Sequence, residues 1–313
     1  MSADTLESPD ARPVHAAALA RISRRLSAAD EAPWLHAEVA RRMVERLQVI
    51  RLQPRALADW WAANGGSQQA LRKAYPKARQ VWVEAFDSGP APQPALPWWL
   101  PRRWAGPEAE HMTPDGIAAQ SVELVWANMM LHWVARPQAE MQHWHRALAV
   151  DGFLMFSTLG PGSLGGLRSL YARLGWGPAH SPFVDMHDLG DMLMHAGFAD
   201  PVMDQEMITL TWPDAAAALR ELRALGGNAD PRRHAGLRTP RWRERLLREL
   251  DALKQADGRI RIDFEVVYGH AFRPAPRPRL DTQTRVPLED MRAMVRSGRH
   301  VPDGAIRPRQ GLR

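Results

Sequence analysis

Apolar residues recur at helical spacing early in the chain and then form short runs separated by periodic polar segments. Over residues 31–50, apolar side chains follow one another every three or four positions, which predicts an amphipathic helix. Short apolar runs predict strands at 56–61, 79–86, 122–128, 152–159, 201–212 and 259–272. Between them, helical periodicity predicts helices at 67–75, 137–148, 187–197, 215–226 and 240–255. Strands that alternate with helices favour an α/β fold, with a largely parallel sheet covered on both faces.

Three segments stand outside this alternation. Residues 1–30 are polar and rich in alanine and arginine, and we expect an N-terminal segment that is at least partly helical. Residues 88–107 hold six prolines and three tryptophans without periodicity, which is typical of a loop. Arginine and proline alternate from Arg273 onward, which predicts a basic, disordered tail over 273–313. One α/β domain over 31–272 remains.

Composition narrows the chemistry. The 313 residues include no cysteine, which excludes disulfides, thiolate zinc sites and cysteine nucleophiles. The N-terminus has early acidic residues and no apolar signal region, and no stretch approaches the roughly 18 apolar residues of a membrane span. We therefore expect a soluble, cytoplasmic protein without a membrane partner. His143 and His145 are two residues apart on a predicted helix and face different directions, so no metal site is predicted.

The net charge of +6 lies in the tail. Residues 273–313 carry ten arginines and four acids, so the first 272 residues are neutral overall. A basic tail on a neutral body is a weaker nucleic-acid signal than a basic face on a folded domain. Nucleic acid is therefore not the expected partner. No pattern indicates an oligomeric state.

Two stretches carry a family resemblance. VELVWANMMLHW (122–133) and AVDGFLMFSTLGPGSL (149–164) resemble strands four and five of class I S-adenosylmethionine-dependent methyltransferases. Farther on, FVDMHDLGDMLMHAGFADPVMDQEMITLTW (183–212) and FEVVYGHAF (264–272) resemble the BioC-type malonyl-carrier-protein O-methyltransferases of biotin biosynthesis. The similarity covers roughly residues 38–272.

This resemblance implies a Rossmann-like fold and a reaction. The fold is a seven-stranded, mostly parallel sheet with an antiparallel last hairpin and a helical lid formed by about 160–185 and 213–255. The cofactor is S-adenosylmethionine, lying across the carboxyl ends of the strands. The substrate is a malonyl thioester on acyl carrier protein. Because the sulfonium methyl is already activated, catalysis rests on alignment and exclusion of water.

The cofactor motif departs from the family pattern. The family's acid and glycine-rich turn, D-x-G-x-G-x-G, aligns with residues 59–65, where Asp59 and Gly65 match. Trp61 and Ala63 replace the first two glycines, which allow positive φ and a close approach of the backbone to the cofactor. Two interpretations stay open: a reshaped cofactor loop, or a turn that has lost its binding role while its tryptophans pack in the core.

Other positions match family cofactor and methyl-transfer residues. Glu84, at the end of the second strand, matches the acid that holds the ribose hydroxyls, and Glu108 matches the acid that contacts the adenine amine. Asn128 follows strand four and lines the methyl-transfer site in the family, with His132 about one helical turn farther on. We take Asn128 and His132 as catalytic candidates. The alternative for Asn128 is a helix cap, which is the commoner role of a single asparagine at a strand end. The tyrosine that covers the family's site is missing, since the first tyrosine here is Tyr75.

Substrate contacts are predicted near the lid. Thr158 and Arg168 border it, and a guanidinium suits a carboxylate. His187 is a further candidate for contacting the substrate. The alternative for His187 is a position at the start of a helix, and the alternative for Arg168 is a solvated surface side chain. Basic residues on the last lid helix suit an acidic carrier protein, or form a solvated face with Glu244 and Glu249. These are Arg241, Arg243, Arg245 and Arg248.

Three functions follow. The first is an S-adenosylmethionine-dependent O-methyltransferase acting on a malonyl thioester. The second is a catalytically inactive relative that keeps the fold and acts as a binding or regulatory partner, favoured by the altered loop, the missing tyrosine and the tryptophan-containing loop. The third, nucleic-acid binding through the tail, predicts a strong dependence on salt.

Overall fold

The computed structural model describes residues 12–29, 31–84, 109–276 and 292. Contacts divide the chain into two units, residues 1–275 and 276–313, and the sheet and helices lie in the first. Glu108, the tryptophan-containing loop and nearly all of the tail lie outside the described residues. No helix in the described ranges is long and apolar enough to span a membrane.

Seven strands form one mixed, mostly parallel sheet in the order β3-β2-β1-β4-β5-β7-β6. The first five strands in this order run parallel, and β7 is antiparallel to both β5 and β6. The predicted fold class is confirmed. The strands are β1 Ala56–Trp60, β2 Arg79–Val83, β3 Glu110–Met112, β4 Val122–Ala127, β5 Leu148–Leu159, β6 Ala199–Trp212 and β7 Ile260–Phe272.

Helices cover both faces of the sheet. Short 3-10 turns at Leu47–Val49 and Leu131–Trp133 supplement them. Strand β3 was not predicted, and helix α6 was not predicted from periodicity but lies within the helical lid that the family resemblance implies over about 160–185. The α-helices are α1 Ala16–Ser27, α2 Trp34–Arg46, α3 Ala62–Gly65, α4 Gln68–Ala74, α5 Pro137–Ala147, α6 Gly165–Arg173, α7 Met186–His195, α8 Ala215–Ala224 and α9 Pro240–Asp251.

The central strands are buried on both faces, as parallel strands between helices must be. In β4, Leu124 and Trp126 belong to one hydrophobic cluster, while Val125 and Ala127 belong to the cluster on the other face. Apolar residues of α2, α6, α8 and α9 join the first cluster, and those of α5 and α7 join the second. Because these strands are parallel, their carboxyl ends lie at one edge of the sheet. Trp61, Glu84, Asn128 and Gly160 directly follow β1, β2, β4 and β5 at that edge.

The helices near that edge begin at side-chain caps. Asp185 accepts a hydrogen bond from the His187 backbone N–H at the start of α7 (2.8 Å), and Asp214 accepts from Ala217 at α8 (2.8 Å). Thr239 accepts from Trp242 at α9 (3.2 Å), and Pro240 occupies the first helical position.

Candidate active site

The turn after β1 holds the altered glycine positions. Trp61 adopts the left-handed conformation (φ 58°, ψ 45°), and its N–H donates to the Val83 carbonyl at 2.6 Å. Its indole is buried in the hydrophobic cluster on the α5 side of the sheet. Ala63 lies within α3, so the second positive φ of the turn falls at Gly66 (64°), where an added Cβ would stand 2.7 Å from the Cβ of Ala32. The turn is thus rebuilt around Trp61 and Gly66.

Two carboxyl groups flank this turn at the ends of β1 and β2. Asp59 is buried, and neither of its carboxyl oxygens has a hydrogen-bond partner among the described residues. Burial, and secondarily the charge of Glu84, raises the pKa of Asp59 well above its usual value. Glu84 accepts a hydrogen bond from the Ala63 N–H (2.9 Å), and burial raises its pKa to about 7. Such acceptors fit a ligand that brings hydroxyl or ammonium donors.

Asn128 braces the turn from the end of β4. Its Nδ2 donates to the carbonyl oxygens of Gly65 (2.5 Å) and His36 (2.9 Å), and its Oδ1 accepts from the Ser157 hydroxyl (2.7 Å). The amide is buried with all three hydrogen bonds made. It therefore fixes the turn, α2 and β5 relative to one another.

His132 lies in the 3-10 turn that follows β4. Its ring is buried, and Nδ1 is 3.4 Å from the Thr158 hydroxyl. Burial, together with the nearby charges of His36 and Arg12, lowers the pKa of His132 well below its usual value. The imidazole is therefore neutral near physiological pH.

Arg12 clamps this turn to the loop before α7. Its guanidinium donates to the carbonyl oxygens of Leu131 (3.3 Å), His132 (2.9 Å) and Val134 (3.3 Å), and also to that of Pro182. Burial lowers the pKa of Arg12 to about 10, so the group stays charged at neutral pH. The N-terminal arm thus holds one wall of the site in place.

A cavity of about 480 Å³ lies between this edge of the sheet and α6, α8 and α9. Its inner wall is formed by Leu35, His36, Met129 and His132, and leucines and aromatic residues of the three helices close it from the other side. Four arginines and three histidines line it, and no aspartate or glutamate is among the lining residues described. An apolar, basic cavity of this size suits an anionic organic ligand.

Sequence comparison with known proteins shows the family to which this chain belongs. No protein-family model matches the chain. A malonyl-[acyl-carrier protein] O-methyltransferase of Laribacter hongkongensis is 38% identical over 293 residues, covering 90% of this chain and 95% of the relative. Another, from Gallionella capsiferriformans, is 37% identical over 265 residues, covering 83% and 91%. The chain belongs to the malonyl-[acyl-carrier protein] O-methyltransferase family.

Solved structures agree on the fold of this O-methyltransferase family member. The YcgJ protein of Bacillus subtilis superposes with a TM-score of 0.50 at 11% identity, covering 76% of this chain and 99% of that one. At this identity the likeness shows the fold alone.

Five of the predicted site residues of this O-methyltransferase family member lie at the cofactor turn or at the cavity, and the three predicted substrate residues do not. Asp59, Gly65, Glu84 and Asn128 come together around the turn after β1, and His132 lines the cavity. The three predicted substrate residues do not line it. Thr158 reaches the cavity only through its contact with His132, and exposed Arg168 donates to the Pro161 carbonyl (3.0 Å). His187 is exposed, and its Nδ1 lies 2.9 Å from Oδ1 of Asp185.

Sequence reasoning missed most of the cavity's basic residues. Of the four α9 arginines, Arg243 lines the cavity together with Leu246 and Leu250, positions three and seven residues later on the same helix face. That spacing could have identified Arg243 from the sequence. Arg25, Arg223 and Arg238 carry no comparable signal. No cluster of metal-ligating side chains occurs in the part of the chain that the structure describes.

Proposed function

We propose that this chain transfers the methyl group of S-adenosylmethionine to the free carboxylate of a malonyl thioester on acyl carrier protein, as in biotin synthesis. The observation that carries the proposal is a basic cavity that has no aspartate or glutamate among its described lining residues and whose inner wall adjoins the rebuilt cofactor turn. Hydrogen bonds from Asn128 to Gly65 and His36 link that turn directly to the inner wall. Relatives named for this reaction support it over almost the whole chain.

The residues around the turn fit the cofactor. Asp59 offers two buried carboxyl oxygens without partners, and a buried acceptor of this kind is costly unless a ligand donor reaches it. Glu84 stands at the strand end where ribose hydroxyls are held in related folds. The Trp61 indole packs in the core, which both interpretations of the turn allow, and it is not among the described residues lining the cavity. The unpartnered oxygens of Asp59 are what favour the reshaped-loop interpretation. We assign Asp59, Gly65 and Glu84 to cofactor binding.

The protein's own contribution to catalysis is placement. S-adenosylmethionine held by Asp59, Gly65 and Glu84 would supply an activated methyl group, with the electron pair of the broken carbon–sulfur bond left on sulfur when a carboxylate oxygen is methylated. The nucleophile needs no base, so the neutral His132 serves as a wall that excludes water.

The test is a methyl-transfer assay. Purified chain, S-adenosylmethionine and malonyl-acyl carrier protein are incubated, and the carrier protein is analysed by mass spectrometry. We expect the methyl ester on malonyl-acyl carrier protein and no product on acetyl-acyl carrier protein, which lacks the carboxylate. Asp59→Asn should raise the KM for S-adenosylmethionine much more than the KM for the malonyl substrate. Absence of product with the natural sequence would overturn the proposal.

A further inference from the structure

Four arginines line the cavity where it opens to solvent. Arg25, Arg223 and Arg243 are exposed while also lining the cavity, and Arg238 is half-buried beside them. Three separate parts of the chain supply them: α1, the last turn of α8, and the segment from 238 into α9. We propose that these four side chains, the arginine mouth, bind the phosphate at the far end of the arm that carries the malonyl thioester. The inference rests on the proposed function and deepens it.

The arginine mouth holds positive charge without a counter-charge. Many arginines elsewhere on the described surface pair with carboxylates, as Arg41, Arg55 and Arg173 do. None of the four mouth arginines takes part in an ion pair among the described residues. No carboxylate is among the described residues that line the cavity. Several guanidinium groups gathered without an acid are suited to a multivalent anion such as phosphate.

Two of these cations repel each other. Arg25 donates to the backbone carbonyls of Arg223 (2.9 Å) and Gly226 at the end of α8. Burial, and then the positive charge of Arg223, lowers the pKa of Arg25. The backbone contacts hold the two like charges close together in the free protein, and an anion between them removes the repulsion.

Arg238 is also held in position before any ligand arrives. Its guanidinium lies 4.6 Å from the ring centroid of Trp242 and donates to the Trp176 carbonyl at 3.1 Å. A fixed guanidinium loses little conformational freedom on binding, which favours affinity.

The position of the arginine mouth identifies the end of the substrate that it meets. The carboxylate to be methylated belongs at the inner wall, by Met129 and His132, because that wall adjoins the cofactor turn. A second anionic group at the opening must lie at the other end of an extended ligand. A carrier-protein thioester has this form, since a long amide-containing arm separates the acyl group from a phosphate. The cavity volume of about 480 Å³ exceeds the needs of a three-carbon acyl group and leaves room for such an arm.

The experiment varies the phosphate and the arginine together. Malonyl-pantetheine, malonyl-phosphopantetheine and malonyl-acyl carrier protein are compared as substrates for the natural sequence and for Arg223→Gln and Arg243→Gln. We expect the phosphate to raise kcat/KM roughly tenfold or more in the natural sequence, and each variant to remove most of that gain. Activity on malonyl-pantetheine should stay within about twofold. Arg220→Gln is the matched control, because Arg220 is exposed on the same helix α8 but does not line the cavity.

Each alternative result is distinct. Equal losses with and without the phosphate would place these arginines at the malonyl end and overturn the inference. A loss confined to the whole carrier protein, or equal in Arg220→Gln, would assign the charge to the carrier's acidic surface instead. If the natural sequence methylates none of the substrates, the proposed function fails. Calorimetric titration with phosphopantetheine and pantetheine then still decides the inference, which requires tighter binding of the phosphorylated compound and loss of that difference in Arg243→Gln.

Discussion

Trp61 is the residue at which conformational strain and packing oppose each other most directly. It replaces a motif glycine, holds a left-handed backbone conformation with φ 58°, and is only 5% exposed. Trp61→Gly removes the strain together with the buried indole, whereas Trp61→Ala removes the indole and keeps the strain. Comparing the two variants separates these contributions.

The magnitudes follow from burial and backbone geometry. Removing a buried tryptophan side chain costs about 3–5 kcal/mol, which is the expected destabilisation of Trp61→Ala. A non-glycine residue in the left-handed region costs about 1–2 kcal/mol, and Trp61→Gly regains this. The glycine variant loses about 0.4–1 kcal/mol of this gain, because glycine gives the unfolded chain more conformational freedom than alanine does. Trp61→Gly should therefore be more stable than Trp61→Ala by up to about 1.6 kcal/mol, with a central value of about 0.8 kcal/mol, and both should be less stable than the natural sequence.

Urea unfolding followed by far-ultraviolet circular dichroism measures this order. The expected ranking of unfolding free energy is the natural sequence, then Trp61→Gly, then Trp61→Ala. If Trp61→Gly equalled or exceeded the natural sequence, the indole would not contribute core packing. If Trp61→Ala were the more stable of the two variants, the left-handed conformation at residue 61 would be refuted.

Three further predictions concern the residues around the site. Asn128→Asp places carboxylate oxygens against the carbonyls of Gly65 and His36 and should lower the unfolding free energy by about 3 kcal/mol or more; urea unfolding at pH 7 equal to that of the natural sequence would contradict this. In the folded chain Glu84 keeps its proton up to about pH 7 and in the unfolded chain only to about 4.5, so its contribution to stability falls as pH rises through that window. Glu84→Gln should reduce this slope in urea unfolding of the cofactor-free protein from pH 4.5 to 8, and an unchanged slope would refute the assignment. Arg12→Lys keeps the charge but loses the forked donors to the 131–134 turn and to Pro182, so it should cost about 1.5–3 kcal/mol and speed proteolysis within 175–185, whereas unchanged proteolysis would exclude the clamp.

The fold was predictable because its longest elements are strongly patterned. The apolar runs of β4, β5 and β7 and the helical spacing of α2 carry that signal over many residues. Strand β3 has only three residues, too few to show an alternation, and Gly165 and Gly166 mask the start of α6. Both elements form because the tertiary structure supplies a partner: β2 pairs with β3, and leucines of α6 pack into the core on the lid side of the sheet.

The site was predictable where strand ends define it and not where distant segments meet. Asp59 and Glu84 follow from their positions at the ends of β1 and β2. The direction of the Trp61 indole does not follow from the sequence, because it depends on packing against residues on other elements. The arginine mouth is equally hidden, since Arg25 and Arg223 are separated by almost two hundred residues and meet only through the hydrogen bonds at the end of α8.

We propose that the turn after β1 binds S-adenosylmethionine although Trp61 and Ala63 replace its first two motif glycines. Calorimetric titration of the natural sequence with S-adenosylmethionine and S-adenosylhomocysteine tests it most directly. We expect saturable binding in the micromolar range, and weaker binding in Asp59→Asn. If the natural sequence does not bind and the Trp61→Gly, Ala63→Gly double variant does, cofactor binding by the altered turn is refuted. The chain would then be a family member that no longer binds S-adenosylmethionine.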